Sequence, residues 1–222
     1  MSVEISPYHT LTPGQKIYAV MKQAADFLIA LTALLILALP LIVLAVLIKI
    51  DDPGPVFFRQ KRIGKHQRCF MMLKFRTMRT DAPKDMPTHL LQNPEQHITR
   101  VGRILRKTSL DELPQLLNIL AGQMSLIGPR PALWNQDDLN AAREAYGVHQ
   151  LRPGLTGWAQ INGRDELEIP VKAALDREYL QQFGLRMDLR CFFGTFRAVL
   201  SSKGVVEGGT GVRSASGEEN TK

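Results

Sequence analysis

The stretch Thr108-Ser109-Leu110-Asp111-Glu112-Leu113-Pro114-Gln115-Leu116 places two adjacent carboxylates where a helix is expected to begin. Ser109 followed three positions later by Glu112 predicts a capping box, and Pro114 is tolerated in a first helical turn, where backbone amides lack partners. The helix is expected to run to about Gly122. First-turn acids often complement the helix dipole, but that explanation does not account for the strongly cationic segment just before them, which ends in Arg106 and Lys107.

Length and charge limit the classes of protein that this sequence can encode. The chain has 222 residues, enough for one well-buried domain with an appendage, and its net charge is +7 with a pI near 9.6. Such a charge predicts a polyanionic partner: nucleic acid, anionic lipid headgroups or a phosphorylated substrate. Cys69 and Cys191 show neither metal-ligand spacing nor a disulfide framework, so a reducing compartment is expected.

Residues 24–48 are apolar apart from Asp26 and Thr32, and this run is long enough to enter a bilayer as a helix. A cleaved signal peptide is the competing interpretation. We reject it because the run is too long, Pro40 lies inside it, and no small-residue cleavage site follows before Asp51.

The charges around this apolar run predict its orientation. Basic residues flank both ends, and the heavier group follows the run: Lys16 and Lys22 before it, and Lys49, Arg59, Lys61, Arg62, Lys65 and Arg68 after it. The C-terminal part is therefore expected in the cytoplasm. Pro40 can bend the helix so that both ends return to one face of the membrane, and a simple span is the alternative.

Periodicity predicts the remaining secondary structure. Strands are expected at 56–60 and 69–75, joined as a hairpin through a loop with Gly64, and 79–95 is expected to be a loop. Helices are expected at 98–107, 139–146, 170–183 and 185–203, of which the first and last are basic and amphipathic and suited to a membrane interface. Residues 152–164 are expected to form a glycine-punctuated loop with one short strand, and 205–222 a disordered tail.

The acids and cations of the sequence fit phosphoryl chemistry. Asp111 and Glu112 could act as a nucleophile and as a metal ligand or proton acceptor, since Asp attacks phosphorus in known enzymes. A nucleotide-sugar diphosphate needs cations on its oxygens while its anhydride breaks. The candidate substrate-binding cations are Lys74, Arg76, Arg106, Arg130 and Arg164. Each alone is equally well explained as a solvated residue, but the assembled set favours a phosphate site.

Four segments carry a family resemblance: 74–78 (KFRTM), 109–115 (SLDELPQ), 125–131 (SLIGPRP) and 152–164 (RPGLTGWAQINGR). In this order they resemble the bacterial sugar transferase family, the membrane-bound phosphoglycosyl transferases, over roughly residues 24–204. The resemblance implies a re-entrant membrane helix. Members often carry Ser before the helix proline, whereas this chain has Leu39.

The resemblance also implies an activity and the roles of its residues. Such enzymes transfer a sugar 1-phosphate from a UDP-sugar to undecaprenyl phosphate with Mg²⁺, through a covalent phosphosugar enzyme and with release of UMP. This is the first membrane step of assembling a capsule, O-antigen, exopolysaccharide or glycoprotein glycan. By motif, Asp111 is the nucleophile, while Glu112 and Asp188 belong to the metal site. Lys74, Arg106, Arg130 and Arg164 match positions that contact phosphate or nucleotide. Asp176 also falls in a family-like segment, but Asp-Arg-Glu on a helix is equally typical of a surface salt-bridge pattern.

The expected fold is therefore mixed α/β and rich in helices. A re-entrant membrane helix (1–50), a small cytoplasmic catalytic domain with a β-hairpin and interfacial helices (51–204), and a tail (205–222) would lie at the cytoplasmic face of the bacterial inner membrane. The alternative class is a non-catalytic, membrane-tethered basic protein that binds anionic lipid or nucleic acid. A carboxylate pair inside the cationic region would repel a phosphate backbone, so we expect no nucleic-acid partner.

Overall fold

The computed structural model describes residues 8–82, 94–163 and 167–200. It is a helix-rich mixed α/β fold, as predicted. Its elements are α1 (Pro13–Asp51), β1 (Phe57–Ile63), β2 (Cys69–Phe75), α2 (Arg100–Thr108), α3 (Gln115–Leu120), β3 (Ser125–Ile127), α4 (Asp137–Tyr146), β4 (Gly154–Thr156), α5 (Trp158–Ile161), α6 (Ile169–Gln181) and α7 (Leu185–Leu200). The expectations for the 205–222 tail and for most of the 79–95 loop lie outside these residues.

Helix α1 begins earlier than the apolar run predicts. Thr12 and Gln15 form a capping box, in which each side chain bonds the other residue's backbone amide, and Pro13 occupies the first turn. These start signals add a polar N-terminal portion to the apolar run. At 1.5 Å per residue the 39 residues extend about 58 Å, roughly twice the thickness of a bilayer's hydrocarbon core.

One stripe of α1 packs against the rest of the described chain. Its buried members are Asp26, Ala30 and Ile48, and its half-buried members include Tyr18, Ala19, Ala33, Leu34, Leu41, Leu44 and Ala45. The start of the stripe meets α6 and α7, its middle meets α3, and its end meets β2 and α2. The helix therefore contacts the folded domain along most of its length.

The rest of the α1 surface is apolar and exposed. Its exposed large side chains include Leu28, Ile29, Leu35, Ile36, Leu39, Ile42, Val43, Val46, Leu47 and Ile50. Among the described residues, α1 is the one helix whose length and composition would allow it to cross a membrane, and 6% of its most apolar window is buried. A core helix of a soluble protein would be mostly buried, so α1 is not a helix of that kind.

Two small sheets support the domain. The predicted hairpin is confirmed: β1 and β2 pair antiparallel from Phe57 opposite Phe75 to Ile63 opposite Cys69. The second sheet pairs β3 and β4 in parallel, with Ser125 opposite Gly154. Of these two strands, the sequence predicted only one, because a three-residue strand is too short to show alternation.

The predicted capping box at Ser109 is wrong. Ser109 ends α2 in a left-handed conformation (φ 57°), and its backbone N–H bonds the carbonyls of Leu105 and Arg106. An N-cap residue needs an extended backbone, so one residue cannot close α2 in this way and also cap a following helix. The expected single helix is instead a 3₁₀ turn over Leu110–Glu112, followed by the shorter α3.

The basic amphipathic helices are confirmed as α2 and α7. In α2, Leu105 is buried while Ile104 is exposed, and α7 exposes Phe192, Phe193 and Phe196. The surface salt-bridge interpretation of Asp176 is wrong, since this carboxylate in α6 is buried and bonded by an arginine of α4.

Candidate functional site

The adjacent carboxylates lie in the 3₁₀ turn between α2 and α3, and cations from two other elements meet them. Lys74 Nζ at the end of β2 lies 2.8 Å from Glu112 Oε1 and 4.0 Å from Asp111 Oδ2. Arg130 Nη2, from the loop after β3, lies 3.0 Å from the same oxygen of Glu112. The structure thus brings four of the predicted site residues together in one cluster, which we call the carboxylate site.

Asn118 fixes the hairpin beside the carboxylate turn. Its side-chain Nδ2 donates to the Met71 carbonyl and its Oδ1 accepts from the Leu73 amide, both at 2.9 Å. These two bonds attach α3 to β2 one residue before Lys74. Asn118 was not predicted as a site residue, because a single buried amide in a short helix has no periodic signature.

The parallel strand pair holds the loop that carries Arg130. Gly128 N–H donates to the Thr156 carbonyl at 2.8 Å, and Gly154 N–H donates to the Pro129 carbonyl at 2.9 Å. A Cβ atom at Gly154 would overlap the Gly128 backbone, so this approach requires glycine. Close backbone contact and two prolines therefore fix the direction in which Arg130 leaves the sheet.

The two acids of the site have opposite pKa shifts. Burial raises the pKa of Asp111 above its ordinary value, and repulsion from Glu112 adds to this, while Lys74, Arg106 and Arg130 lower it. Burial also opposes ionisation of Glu112, but Arg130 and Lys74 outweigh it and hold the pKa of that carboxyl below its usual range. Glu112 is therefore the firmly ionised acid and is paired with two cations, whereas the surrounding cations stabilise the charge of Asp111 less strongly.

The remaining predicted cations have different surroundings. Arg106 Nε donates to Thr77 Oγ1 at 2.9 Å, and its charge acts on Asp111. Arg76 is buried and directed to the turn after α1, where it donates to the Asp52 carbonyl and lies 3.2 Å from Asp52 Oδ2.

Alternate residues of a strand share a face, so Arg76 would lie on the face of Lys74 if β2 continued through it. β2 ends at Phe75, and Arg76 is therefore not part of this alternation. Its role in substrate binding stays a prediction. Arg164 lies outside the described residues, and its predicted contact with phosphate or nucleotide stays a prediction as well.

Asp188 lies in a separate buried cluster between α1, α6 and α7. Its Oδ2 accepts from Tyr18 Oη at 2.7 Å and from Lys22 Nζ at 2.8 Å, and its Oδ1 accepts from Tyr179 Oη at 2.5 Å. Lys22 also lies 3.6 Å from Asp26 Oδ1. Both oxygens of Asp188 are thus bonded by protein donors, and its role as a metal ligand stays a prediction.

Lys22 was not predicted as a partner of Asp188. One local signal was present, because Lys22 and Asp26 are four residues apart at the edge of an otherwise apolar run. Ionisable residues at such positions usually pair inside the protein. Asp188 is far from Lys22 in the sequence, so no local signal predicts that the two residues pair.

The carboxylate site has a donor set that suits Mg²⁺. Within the described ranges, no group of three or more His, Cys, Asp or Glu side chains is arranged to hold a metal ion. Mg²⁺ usually takes one or two carboxylates and completes its shell with water and substrate phosphate, so a two-acid site is sufficient. Lys74 Nζ and Arg130 Nη2 each contact Glu112 through Oε1, and Oε2 is the oxygen that could hold a metal ion.

The sequence matches the bacterial sugar transferase family over residues 17–202. The exopolysaccharide production protein PSS of Rhizobium leguminosarum bv. phaseoli is 42% identical over 190 residues, covering 79% of this chain and 93% of that protein. A UDP-glucose:undecaprenyl-phosphate glucose-1-phosphate transferase of Caulobacter vibrioides is 42% identical over 207 residues, 87% of this chain and 76% of that one. An Escherichia coli (strain K12) protein of the same name is 38% identical over 191 residues, 83% of this chain and 41% of that longer protein. This chain therefore belongs to the bacterial sugar transferase family.

Family membership confirms the resemblance read from the four motif segments, and it confirms the predicted class of enzyme, a sugar-phosphate transferase. Together with the exposed apolar surface of α1, it also indicates a membrane location.

Proposed function

We propose that this enzyme transfers a sugar 1-phosphate from a UDP-sugar to undecaprenyl phosphate through a covalent intermediate on Asp111, releasing UMP. The observation that carries the proposal is the carboxylate site: an acid pair in a tight turn, contacted by Lys74 and Arg130 from separate elements. The names of the Caulobacter vibrioides and Escherichia coli relatives, each a UDP-glucose:undecaprenyl-phosphate glucose-1-phosphate transferase, support this choice of donor and acceptor.

The two half-reactions balance without an added proton. In the first, a carboxylate oxygen of Asp111 bonds the sugar-bearing phosphorus while the anhydride bond of the UDP-sugar breaks, and UMP leaves with the bridging oxygen. In the second, a phosphate oxygen of the lipid bonds the same phosphorus and the Asp111–phosphorus bond breaks. Lys74 and Arg130 can neutralise charge on the phosphoryl oxygens in both steps.

We propose that Glu112 and the substrate phosphates hold Mg²⁺. When bound, the ion would polarise the phosphoryl group and neutralise part of the diphosphate charge. Lys74 and Arg130 hold Glu112 by its other oxygen, so the protein itself orients this carboxylate. Asp188 is the second predicted ligand, and its bonds to Lys22, Tyr18 and Tyr179 would have to open for it to serve.

We propose that the membrane helix is re-entrant, with the catalytic domain on the cytoplasmic face. Both ends of α1 contact the same domain: Lys22 bonds Asp188 of α7, and Asp51 Oδ2 accepts from the Val101 amide of α2 at 2.8 Å. A helix that spanned the bilayer would hold its two ends on opposite sides of the membrane, where one water-exposed domain could not contact both of them. A domain attached along one stripe of the helix favours entry and exit on one face.

The activity is tested by a screen of UDP-sugars for UMP release with Mg²⁺ and undecaprenyl phosphate. The proposal expects at least one sugar to support release of one UMP for each glycolipid formed. Binding to anionic vesicles without turnover of any UDP-sugar would instead favour the non-catalytic alternative.

Lys74→Met is expected to slow UMP release by about 10²–10³-fold, the usual cost of removing one preorganised charge that stabilises a transition state. Lys61→Met is the matched control, because Lys61 lies on the paired strand β1 with its Nζ 4.8 Å from the centre of the Trp134 ring. The measurement is kcat for UMP release at saturating donor. Equal rates for the two variants would contradict a role for Lys74 in the reaction.

A cysteine at Gly14 is expected to resist a membrane-impermeant thiol reagent in intact cells, since a re-entrant helix keeps its N-terminal end in the cytoplasm. A side chain fits at Gly14, where an added Cβ meets nothing within 4 Å. The variant is made in a Cys69→Ser background, and native Cys69, which is exposed, reports separately on the catalytic domain. Labelling at position 14 with Cys69 protected would establish a simple span.

A further inference from the structure

The loop carrying Arg130 is bonded by a second arginine that neither family motif nor periodicity singled out. Arg143 of α4 is buried, and its Nη1 donates to the Arg130 carbonyl at 2.8 Å. Its Nε and Nη2 donate to Asp176 Oδ2 of α6 at 2.8 and 2.6 Å. One guanidinium therefore joins α4, α6 and the backbone of the residue whose side chain contacts Glu112.

We infer that Arg143, held by Asp176, is a positioning residue that fixes Arg130 for the phosphate chemistry of the carboxylate site. The inference rests on the proposed function, because it assigns a purpose to the direction of Arg130. Arg143 itself contacts neither Asp111 nor Glu112 in the described structure; its effect passes through the Arg130 backbone.

The shape of the guanidinium explains why arginine is needed at this position. Its donors form a rigid planar fork, so two can bind Asp176 while a third reaches the Arg130 carbonyl. A lysine ammonium at the same place could neutralise Asp176, but it is a compact point charge on a flexible stem. With lysine at position 143, the fixed geometry between the Asp176 carboxylate and the Arg130 loop would be lost.

Burial explains how Asp176 helps to position Arg130. The carboxylate is 1% exposed and Arg143 is 3% exposed, so neither charge is satisfied by solvent. Asp176 holds the guanidinium in one orientation, and that orientation sets the position of the carbonyl it bonds. Two backbone hydrogen bonds fix the other end of the loop to β4. The Gly128 N–H donates to the Thr156 carbonyl, and the Gly154 N–H donates to the Pro129 carbonyl. Arg130 is thus restrained from both sides.

The test uses the full-length chain in nanodiscs and the variant Arg143→Lys, which keeps the charge beside Asp176. Loss of the hydrogen bond to the loop is expected to lower kcat/KM for UMP release about tenfold. Arg177→Lys is the matched control, because Arg177 joins the same two helices by lying 5.2 Å from the Tyr146 ring centre. It is expected to retain the wild-type rate.

A double-mutant cycle distinguishes positioning from general damage to the fold. Arg130→Ala is expected to lower kcat/KM about 10²-fold. In that background Arg143→Lys should cost little more, because the side chain that it positions is already gone. Independent tenfold losses in both backgrounds would overturn the inference while leaving the proposed function intact.

A second variant removes the buried pair without leaving a charge unpaired. Arg143→Met with Asp176→Leu is expected to fold, since apolar replacement of a buried ion pair is often neutral for stability. It should nevertheless show the activity loss of Arg143→Lys. A folded double variant with wild-type kcat/KM would overturn the inference.

Hydrogen exchange supplies a readout that does not depend on turnover. A peptide covering residues 126–134 should exchange about tenfold faster in Arg143→Lys than in Arg177→Lys, as expected for loss of one buried hydrogen bond. If the wild type turned over no UDP-sugar, the proposed function would fail and this comparison alone would decide whether Arg143 orders the loop. Equal exchange in the two variants would show that it does not.

Discussion

Asp111→Asn is expected to abolish both UMP release and the covalent adduct, with a rate loss on the order of 10⁴–10⁶-fold, as for other enzymes that lose their nucleophile. An amide keeps the size of the side chain but cannot form the acyl phosphate. The proposal assigns this role to the first acid because Glu112 is bonded by Lys74 and Arg130 through one oxygen, whereas Lys74 Nζ lies 4.0 Å from Asp111 Oδ2.

The measurement combines mass with kinetics. Wild-type enzyme incubated with the active UDP-sugar and Mg²⁺, without lipid acceptor, should gain one sugar phosphate on the peptide that contains Asp111. Initial rates with both substrates should follow a ping-pong pattern. Glu112→Gln should form the adduct more slowly at the same position, and Asp137→Asn, in the first turn of α4, should match the wild type.

Two outcomes would refute this mechanism even if the overall reaction were confirmed. An adduct attached to Glu112 would exchange the proposed roles of the two acids. Full activity with sequential kinetics and no adduct would indicate direct transfer between the two substrates.

Lys22→Met is expected to destabilise the protein by about 3–5 kcal/mol, because it breaks a buried ion pair and leaves charges unpaired. Lys22 Nζ lies 2.8 Å from Asp188 and 3.6 Å from Asp26, and these three side chains are 7–10% exposed. Natural domains have about 5–15 kcal/mol of total stability, so such a loss is a large part of the whole. The measurement is denaturant or thermal unfolding in a fixed detergent.

Lys16→Met is the control for this prediction, since Lys16 is exposed about 1.7 turns before Lys22 on α1. Adding Asp188→Asn to Lys22→Met should recover part of the lost stability by removing one of the unpaired charges. If Lys22→Met proved as stable as Lys16→Met, the buried network would not be what holds α1 on the domain.

The buried network of Lys22, Asp26 and Asp188 also includes hydroxyl donors. Ser125 Oγ donates to Asp26 Oδ2 at 2.6 Å, and Tyr179 Oη reaches both Asp188 and the Ile127 carbonyl. These bonds tie α1 to the strand that leads into Gly128 and Arg130. These bonds give Asp188 a structural position at the junction of α1, α6 and α7, and its role as a metal ligand stays a prediction.

Local pattern was enough to predict most of the elements. The long apolar helix, the hairpin, the two basic amphipathic helices, α4 and α6 all leave a periodic or compositional signal within a single segment. One failure occurred where two local signals competed. Ser109 and Glu112 match a capping box, but Ser109 is already the left-handed end of α2, and closing that helix determines its backbone conformation.

Neighbouring residues were enough to predict the long apolar helix, the hairpin and the acid pair preceded by cations, because each leaves its signal within one segment of the sequence. Which charges meet depends on how the elements pack in the folded chain: Lys74 and Arg130 at Glu112, Lys22 at Asp188, and Arg143 at Asp176. The members of these pairs come from different elements, and their distances depend on how helices and strands pack. Burial removes water as the competing partner, so packing determines which charges must be satisfied by one another.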